Sequence, residues 1–243
     1  MSASMPPPRA ASVSDLLQSA AQLFRATLPK CLPFAMVAVL VAQLPAIYWI
    51  ATGHQVSFKV PVDATYQTLS LLGWIVEVWL IASMMLRQRA MISGAPIHAV
   101  AELRTALQRL PVLMLTFLLG LLSVAAGTLL LLVPGIFLLV CYMVAMPVVL
   151  FEPVGPYSAL VRCVQLIRSV WWKTLAAGAI AFGVLLVFAV AFAAVMGIVA
   201  LLAEQGPAFT AIETASFVGV IAVVFVFFSA LALVLHSAAS NSA

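Results

Sequence analysis

The sequence predicts an all-α polytopic membrane protein with six transmembrane helices in three hairpins, each preceded by an amphipathic helix on the cytoplasmic side. Three observations predict it. First, 65% of the 243 residues are hydrophobic and 7% are charged, whereas a soluble surface carries roughly 25–35% charged residues. A soluble domain and a disordered chain are both excluded. Second, the uncharged stretches match one or two bilayer crossings of about 20 residues each. Third, the Lys and Arg residues gather in alternate connecting segments. Each crossing must be helical, because unpaired backbone groups in hydrocarbon cost several kcal/mol each.

The elements follow in order. Between Lys30 and Lys59 the apolar part, Cys31–Ala51, makes the first crossing. The second is Thr68–Leu86, 19 residues interrupted only by Glu77. Arg109 and Glu152 enclose 42 uncharged residues, Leu110–Phe151, enough for two crossings. Val133-Pro134-Gly135 divides them, since proline stops a helix before it and glycine tolerates a turn. The fourth crossing, Ile136–Phe151, has 16 residues, about 24 Å of rise, and Pro147 should kink it by removing one backbone hydrogen bond. Lys173 and Glu204 enclose 30 uncharged residues for the fifth, and Ala211–His236 supplies the sixth.

Charge then orients the crossings. Ten of the eleven Lys and Arg residues lie before the first crossing (Arg9, Arg25, Lys30), between the second and third (Arg87, Arg89, Arg104, Arg109), or between the fourth and fifth (Arg162, Arg168, Lys173). Only Lys59 lies in an alternate loop. Those three segments share one side, which the positive-inside rule makes cytoplasmic, together with both termini. Tyr48-Trp49 at the outer end and Trp171-Trp172 at the inner end mark aromatic belts. The formal charge of +4 therefore faces membrane rather than nucleic acid. Each Lys or Arg near anionic lipid gains roughly 1 kcal/mol, so the expected partners are membrane lipids, with anionic headgroups on the cytoplasmic side. No motif identifies a membrane-protein partner.

Residues 1–11 and 237–243 read as disordered tails around a single membrane domain, 12–236. The N-terminal stretch has no apolar core followed by a small-residue cleavage site, so no cleavable signal peptide is expected. Cys31, Cys141 and Cys163 are odd in number and lie on the membrane or cytoplasmic side, which argues against a disulfide framework.

The three basic segments share a pattern. Ser14–Leu28 places Leu16, Leu17, Ala20, Leu23 and Phe24 at helical spacing, opened by Ser12 or Ser14. Pro96–Leu110 places Val100, Leu103, Leu107 and Leu110 on a stripe. Pro156–Trp172 does the same with Leu160, Val161, Val164, Ile167 and Trp171. Serine suits a helix cap and proline the first turn. Each segment leads into a pair of crossings, which suggests three repeats, 12–86, 95–151 and 156–236. Short amphipathic connectors without repetition would give the same pattern.

Glu77 stands tenth of nineteen residues in its crossing, where an ion costs about 2.5–3.5 kcal/mol on insertion scales. It needs a polar partner, and Gln43 in the first crossing lies at comparable depth. Two readings stay open: a proton or solute relay, or an interhelical hydrogen bond within the first hairpin. Glu152 begins the next basic segment and can pair with Arg162 or Arg168. Pro134, Gly135 and Pro147 are the turn and kink positions. His54, His98 and His236 have no metal-ligand spacing, and no nucleotide loop, nucleophile elbow or zincin helix is present. No cofactor, metal or catalytic site is expected, and the protein reads as no enzyme.

Residues 130–175, LLLVPGIFLLVCYMVAMPVVLFEPVGPYSALVRCVQLIRSVWWKTL, resemble the core of the YciC-like family of bacterial inner-membrane proteins. They are similar also to the membrane domain of membrane-bound glycerophosphodiester phosphodiesterases. The positions that carry the resemblance are Pro134, Gly135, Ile136, Pro147, Glu152, Gly155, Ala159, Leu160, Leu166 and Trp172; Cys163 replaces the family's usual serine. The resemblance implies a multi-pass protein of the bacterial inner membrane associated with upkeep of the cell envelope. The chain ends seven residues after the last crossing, so phosphodiesterase activity is not part of the expectation. Three functional classes remain: first a structural or interaction protein in envelope maintenance, then a transporter or lipid-handling protein with a polar site around Glu77, its prolines 33, 45 and 147 interrupting helices around a cavity, and last an enzyme, for which the necessary groups are scarce.

Overall fold

The computed structural model describes residues 12–52, 63–202 and 207–240. The predicted tail 1–11, His54 and Lys59 of the first outer loop, and Glu204 lie outside the described residues. The chain is all-α. Its helices are α1 (Val13–Ala42), α2 (Leu44–Ala51), α3 (Ala64–Ser93), α4 (Ala99–Leu130), α5 (Leu132–Cys141), α6 (Ala145–Phe151), α7 (Pro156–Arg168), α8 (Trp171–Leu202) and α9 (Pro207–Ser240). Among the described residues, six stretches are long and apolar enough to cross a membrane: Val13–Trp49, Ala64–Ser93, Ala99–Leu130, Leu132–Phe151, Trp171–Val199 and Thr214–Ser240. The protein is thus a multi-pass membrane protein.

The helix ends follow from local chemistry. Ser12 caps α1 by accepting from the Asp15 N–H, and Asp63 caps α3 by accepting from Thr65. Gly94 ends α3 at φ 68°, a left-handed conformation in which a Cβ is disfavoured. Pro156 occupies the first turn of α7, as the sequence suggests. Pro96 does not open a helix. It lies in the connection, and α4 starts at Ala99 after His98.

In the first two units the amphipathic segment runs without a break into the apolar crossing, although the first crossing is itself interrupted at Gln43, between α1 and α2. α1 passes through Pro29 and Pro33, and α4 through Pro111. Only in the third unit is the amphipathic helix, α7, separate. The predicted tail Ser237–Ala243 is corrected over its first four residues. α9 continues to Ser240 because Ala238 and Ala239 are buried, while the Ser237 and Ser240 hydroxyls donate to the Val234 and His236 carbonyls.

The α4–α5 turn also departs from expectation. The break falls at Leu131, whose extended backbone (φ −160°, ψ 142°) separates the helices. Pro134 and Gly135 lie in the first turns of α5, where proline's missing N–H is tolerated. Gly135 is required by proximity rather than by a turn conformation. A Cβ there would stand 2.9 Å from both the Cα and N of Thr128, so only glycine lets the two backbones meet. Pro147 acts as expected. A 3-10 turn over Tyr142–Val144 interrupts the fourth crossing just before it, and α6 resumes at Ala145.

α1 packs most extensively on α9 and α3. Gly73 lies against the Val41 carbonyl and Gln88 against Thr27, so α3 runs antiparallel to α1. Arg87 meets Glu102 and Trp74 meets Phe117, so α4 returns antiparallel to α3. The main core joins Leu16, Ala20 and Leu23 of α1 to Val148, Val149, Leu166, Ile167 and the last three turns of α9. A smaller core joins Cys31, Ala35 and Val39 to Met84, Val218, Ala222 and Val226.

Two apolar stripes face differently from the sequence reading. On α4, Val100 is 79% exposed and Leu107 53%, while Glu102, Ala106 and Leu113 are buried. A helix in lipid gains nothing by hiding leucine, so small and polar residues turn toward protein instead. On α7 the buried face is Ala159, Leu160, Cys163, Leu166 and Ile167, with Val161 outside. The α1 stripe is as expected.

α7 packs on α4, α5 and α6. Its 13 residues rise about 20 Å, short of a ~30 Å hydrocarbon core. It carries the chain back to Phe137, where the Trp171 ring stacks at 5.8 Å and the indole N–H donates to the Phe137 carbonyl at 3.4 Å. Simple alternation of crossings would have placed those two residues at opposite faces. α8 then leaves the core: after Ala181 none of its described side chains through Val199 is buried.

Candidate functional site

The most buried polar assembly joins α1, α3, α4 and α9. Arg87 Nε and Nη2 each lie 2.8 Å from Glu102 Oε2. Arg87 Nη1 donates to the Lys30 carbonyl at 3.0 Å, and its guanidinium lies 4.3 Å from the Phe34 ring centroid. Next to it, Gln88 Nε2 donates to Thr27 Oγ1 at 3.4 Å and to the Val226 carbonyl at 3.2 Å, and Thr27 donates to the Leu23 carbonyl. Adjacent residues on α3 point to different neighbours because each step turns the helix by about 100°. Two acceptors, Gln88 Oε1 and Glu102 Oε1, are buried without a hydrogen-bond partner among the described residues. The side chains of Arg87 and Glu102 are 11% and 9% exposed, so each charge depends on the other.

A second assembly sits at the last turns of α6 and α9. Glu152 Oε2 accepts from Arg162 Nε at 3.1 Å, and Glu152 Oε1 lies 3.4 Å from His236 Nε2. Phe151 packs beside His236, ring centroids 6.2 Å apart, and carries the Arg89 guanidinium over its face at 4.0 Å. Of the two partners expected for Glu152, the structure selects Arg162. Arg168 is exposed and does not join it.

Glu77 and Gln43 are not brought together. Both are half-buried, and among the described residues neither side chain makes a hydrogen bond or ion pair. Trp79, two residues beyond Glu77, instead supplies the polar link to α4 by donating to the Leu103 carbonyl at 2.8 Å. Arg87, Gln88, Glu102, Thr27 and His236 were not singled out from the sequence. The legible signal was Glu102 itself, an acid following a tight connection from an arginine, at a spacing that a hairpin brings into register.

Cys31, Cys141 and Cys163 are free and buried. On α7, burial pushes the Cys163 thiol from 9.0 up to about 12, with the nearby Cys141 and Glu152 adding to the effect. No group of three or more His, Cys, Asp or Glu side chains among the described residues could hold a metal ion. An open groove of about 500 Å³ runs between α4 and α7, lined by Leu119, Leu122, Tyr142, Tyr157, Leu160 and Val164. Its polar point is Ser123, whose hydroxyl lies 3.1 Å from that of Tyr142.

Comparison of the chain with protein-family models, with curated proteins and with solved structures finds no match.

Proposed function

We propose that the protein is a structural or interaction component of the bacterial inner membrane, acting in cell-envelope maintenance as a member of the YciC-like family. In this reading the six candidate spans form three hairpins with both termini cytoplasmic; the amphipathic segments open the first two on the cytoplasmic side, and in the third α7 folds back into the bundle to bring Trp171 to Phe137 before α8 begins. The distribution of basic residues supports the orientation, and the 130–175 motif supports the family. Anionic headgroups on the cytoplasmic side are its lipid partners.

The observation that carries the scaffold reading is the buried Arg87–Glu102 pair, tied to the Lys30 carbonyl. It cross-links α1, α3 and α4 through a buried ion pair, the kind of fixed joint that a scaffold requires. α8 meanwhile offers a long apolar surface to lipid or to a protein partner. The test is deletion of the gene with envelope lipidomics and solute-sensitivity profiling, complemented by wild type or by Glu77 variants. Envelope defects rescued by every Glu77 variant support a scaffold. A lost solute flux restored only by wild type replaces it with transport.

The α4–α7 groove favours a second reading, lipid handling. Its walls are aliphatic and aromatic, and it is open along one side, as an acyl chain requires. Widening it with Leu122→Ala, at an exposed lining residue, or blocking it with Val164→Trp should then change the lipidome without changing protein level.

A further inference from the structure

We propose that Arg89 and Arg162 form a binding site for the phosphate of an anionic phospholipid headgroup, beside Phe151, Glu152 and His236. The charge at this corner is unbalanced. Glu152 pairs with Arg162 through one oxygen and lies against His236 through the other, and among the described residues no hydrogen bond joins it to Arg89. Two guanidinium groups therefore meet one carboxylate.

Arg89 lies flat over Phe151, Cζ 4.0 Å from the ring centroid. Stacking occupies a guanidinium's faces, while its N–H donors radiate in its plane. Among the described residues none of those donors has an acceptor. Arg162 uses Nε on Glu152 and keeps its two Nη groups; its side chain is 39% exposed. Phe151 fixes one guanidinium and Glu152 the other, so both forks are held before a ligand arrives. A phosphodiester supplies the planar-matching oxygens that such forks take bidentately.

The site lies at the ends of apolar helices α3, α6 and α9, with a phenylalanine as its floor. That setting fits a headgroup whose acyl chains continue along the helices rather than a free anion. The assignment rests on the reading that these ends meet the cytoplasmic leaflet.

The test is native mass spectrometry of the purified full chain in neutral detergent, with phosphatidylglycerol or phosphatidylcholine of identical chains. Phosphatidylglycerol should be retained preferentially, and Arg89→Gln should lower its occupancy about fivefold, the factor worth one cation beside anionic lipid. Arg162→Lys, which keeps the charge but loses the planar fork, should also weaken retention. Arg104→Gln, which removes the same charge at an exposed arginine of α4 outside the stacked pair, should weaken retention less than Arg89→Gln, and an equal loss overturns the site. Equal retention of the two lipids, or wild-type retention by Arg89→Gln, overturns the site. Displacement by inorganic phosphate alone overturns the lipid as its occupant. Reporter fusions at the termini separate the two readings. Lost lipid preference with cytoplasmic termini refutes the site only, whereas intact preference with external termini upholds the site and refutes the orientation.

Discussion

Arg87 and Glu102 face each other at 2.8 Å across the α3–α4 connection, both largely withdrawn from solvent. Removing one partner leaves a buried charge unpaired, which costs about 3–5 kcal/mol. Arg87→Met and Glu102→Leu should each lower the unfolding midpoint in detergent markedly. The double variant should recover most of the loss, since an apolar pair of similar volume is often as stable as a buried ion pair. Additive losses in the double variant would show that the two side chains act separately.

Gly135 should not tolerate alanine. The new methyl would meet the Thr128 backbone at 2.9 Å and the Thr128 hydroxyl more closely still. Overpacking of this kind costs about 1–3 kcal/mol. Thr128→Ala should not rescue it, because two of the three clashes are with backbone. Full rescue in a thermal melt would place the constraint in the side chain instead.

Glu77 makes no hydrogen bond or ion pair among the described residues, so its amide replacement has no partner to lose. Glu77→Gln should shift stability by no more than about 0.5 kcal/mol, and Glu77→Leu should be neutral or stabilising. Gln43→Leu should behave alike. A large loss in Glu77→Leu with Glu77→Gln near wild type, read by unfolding in detergent, would reveal the interhelical bond that the sequence suggested.

Cys163 predicts an alkaline limit. Its thiol is raised from 9.0 to about 12 by burial first, so the folded state favours the protonated form. That stabilisation is fully present below pH 9 and is lost as pH rises toward 12. Cys163→Ala should flatten the decline over that window. The same burial makes maleimide labelling of the folded protein slow at pH 8, since the thiolate is the nucleophile; rapid labelling without denaturant would contradict the packing of α7.

Sequence alone determined that the chain is helical and membrane-spanning, with six stretches long and apolar enough to cross. Those features depend on length and on charge exclusion, which are local and strong in hydrocarbon. It also anticipated the Pro147 kink and a partner for Glu152 in the next helix, Arg162 or Arg168, of which the structure forms the first, ten residues away. The tertiary structure decided which face of each helix is buried. Lipid and protein interior are equally apolar, so Val100 and Leu107 carry no inward preference, while Ala106 and Glu102 turn inward for packing and pairing. It also decided which charges meet. Arg87 reaches Glu102 and Lys30, and Gln88 reaches Val226, 138 residues away. Long-range contacts of this kind are set by how helices cross, and no single segment encodes a crossing.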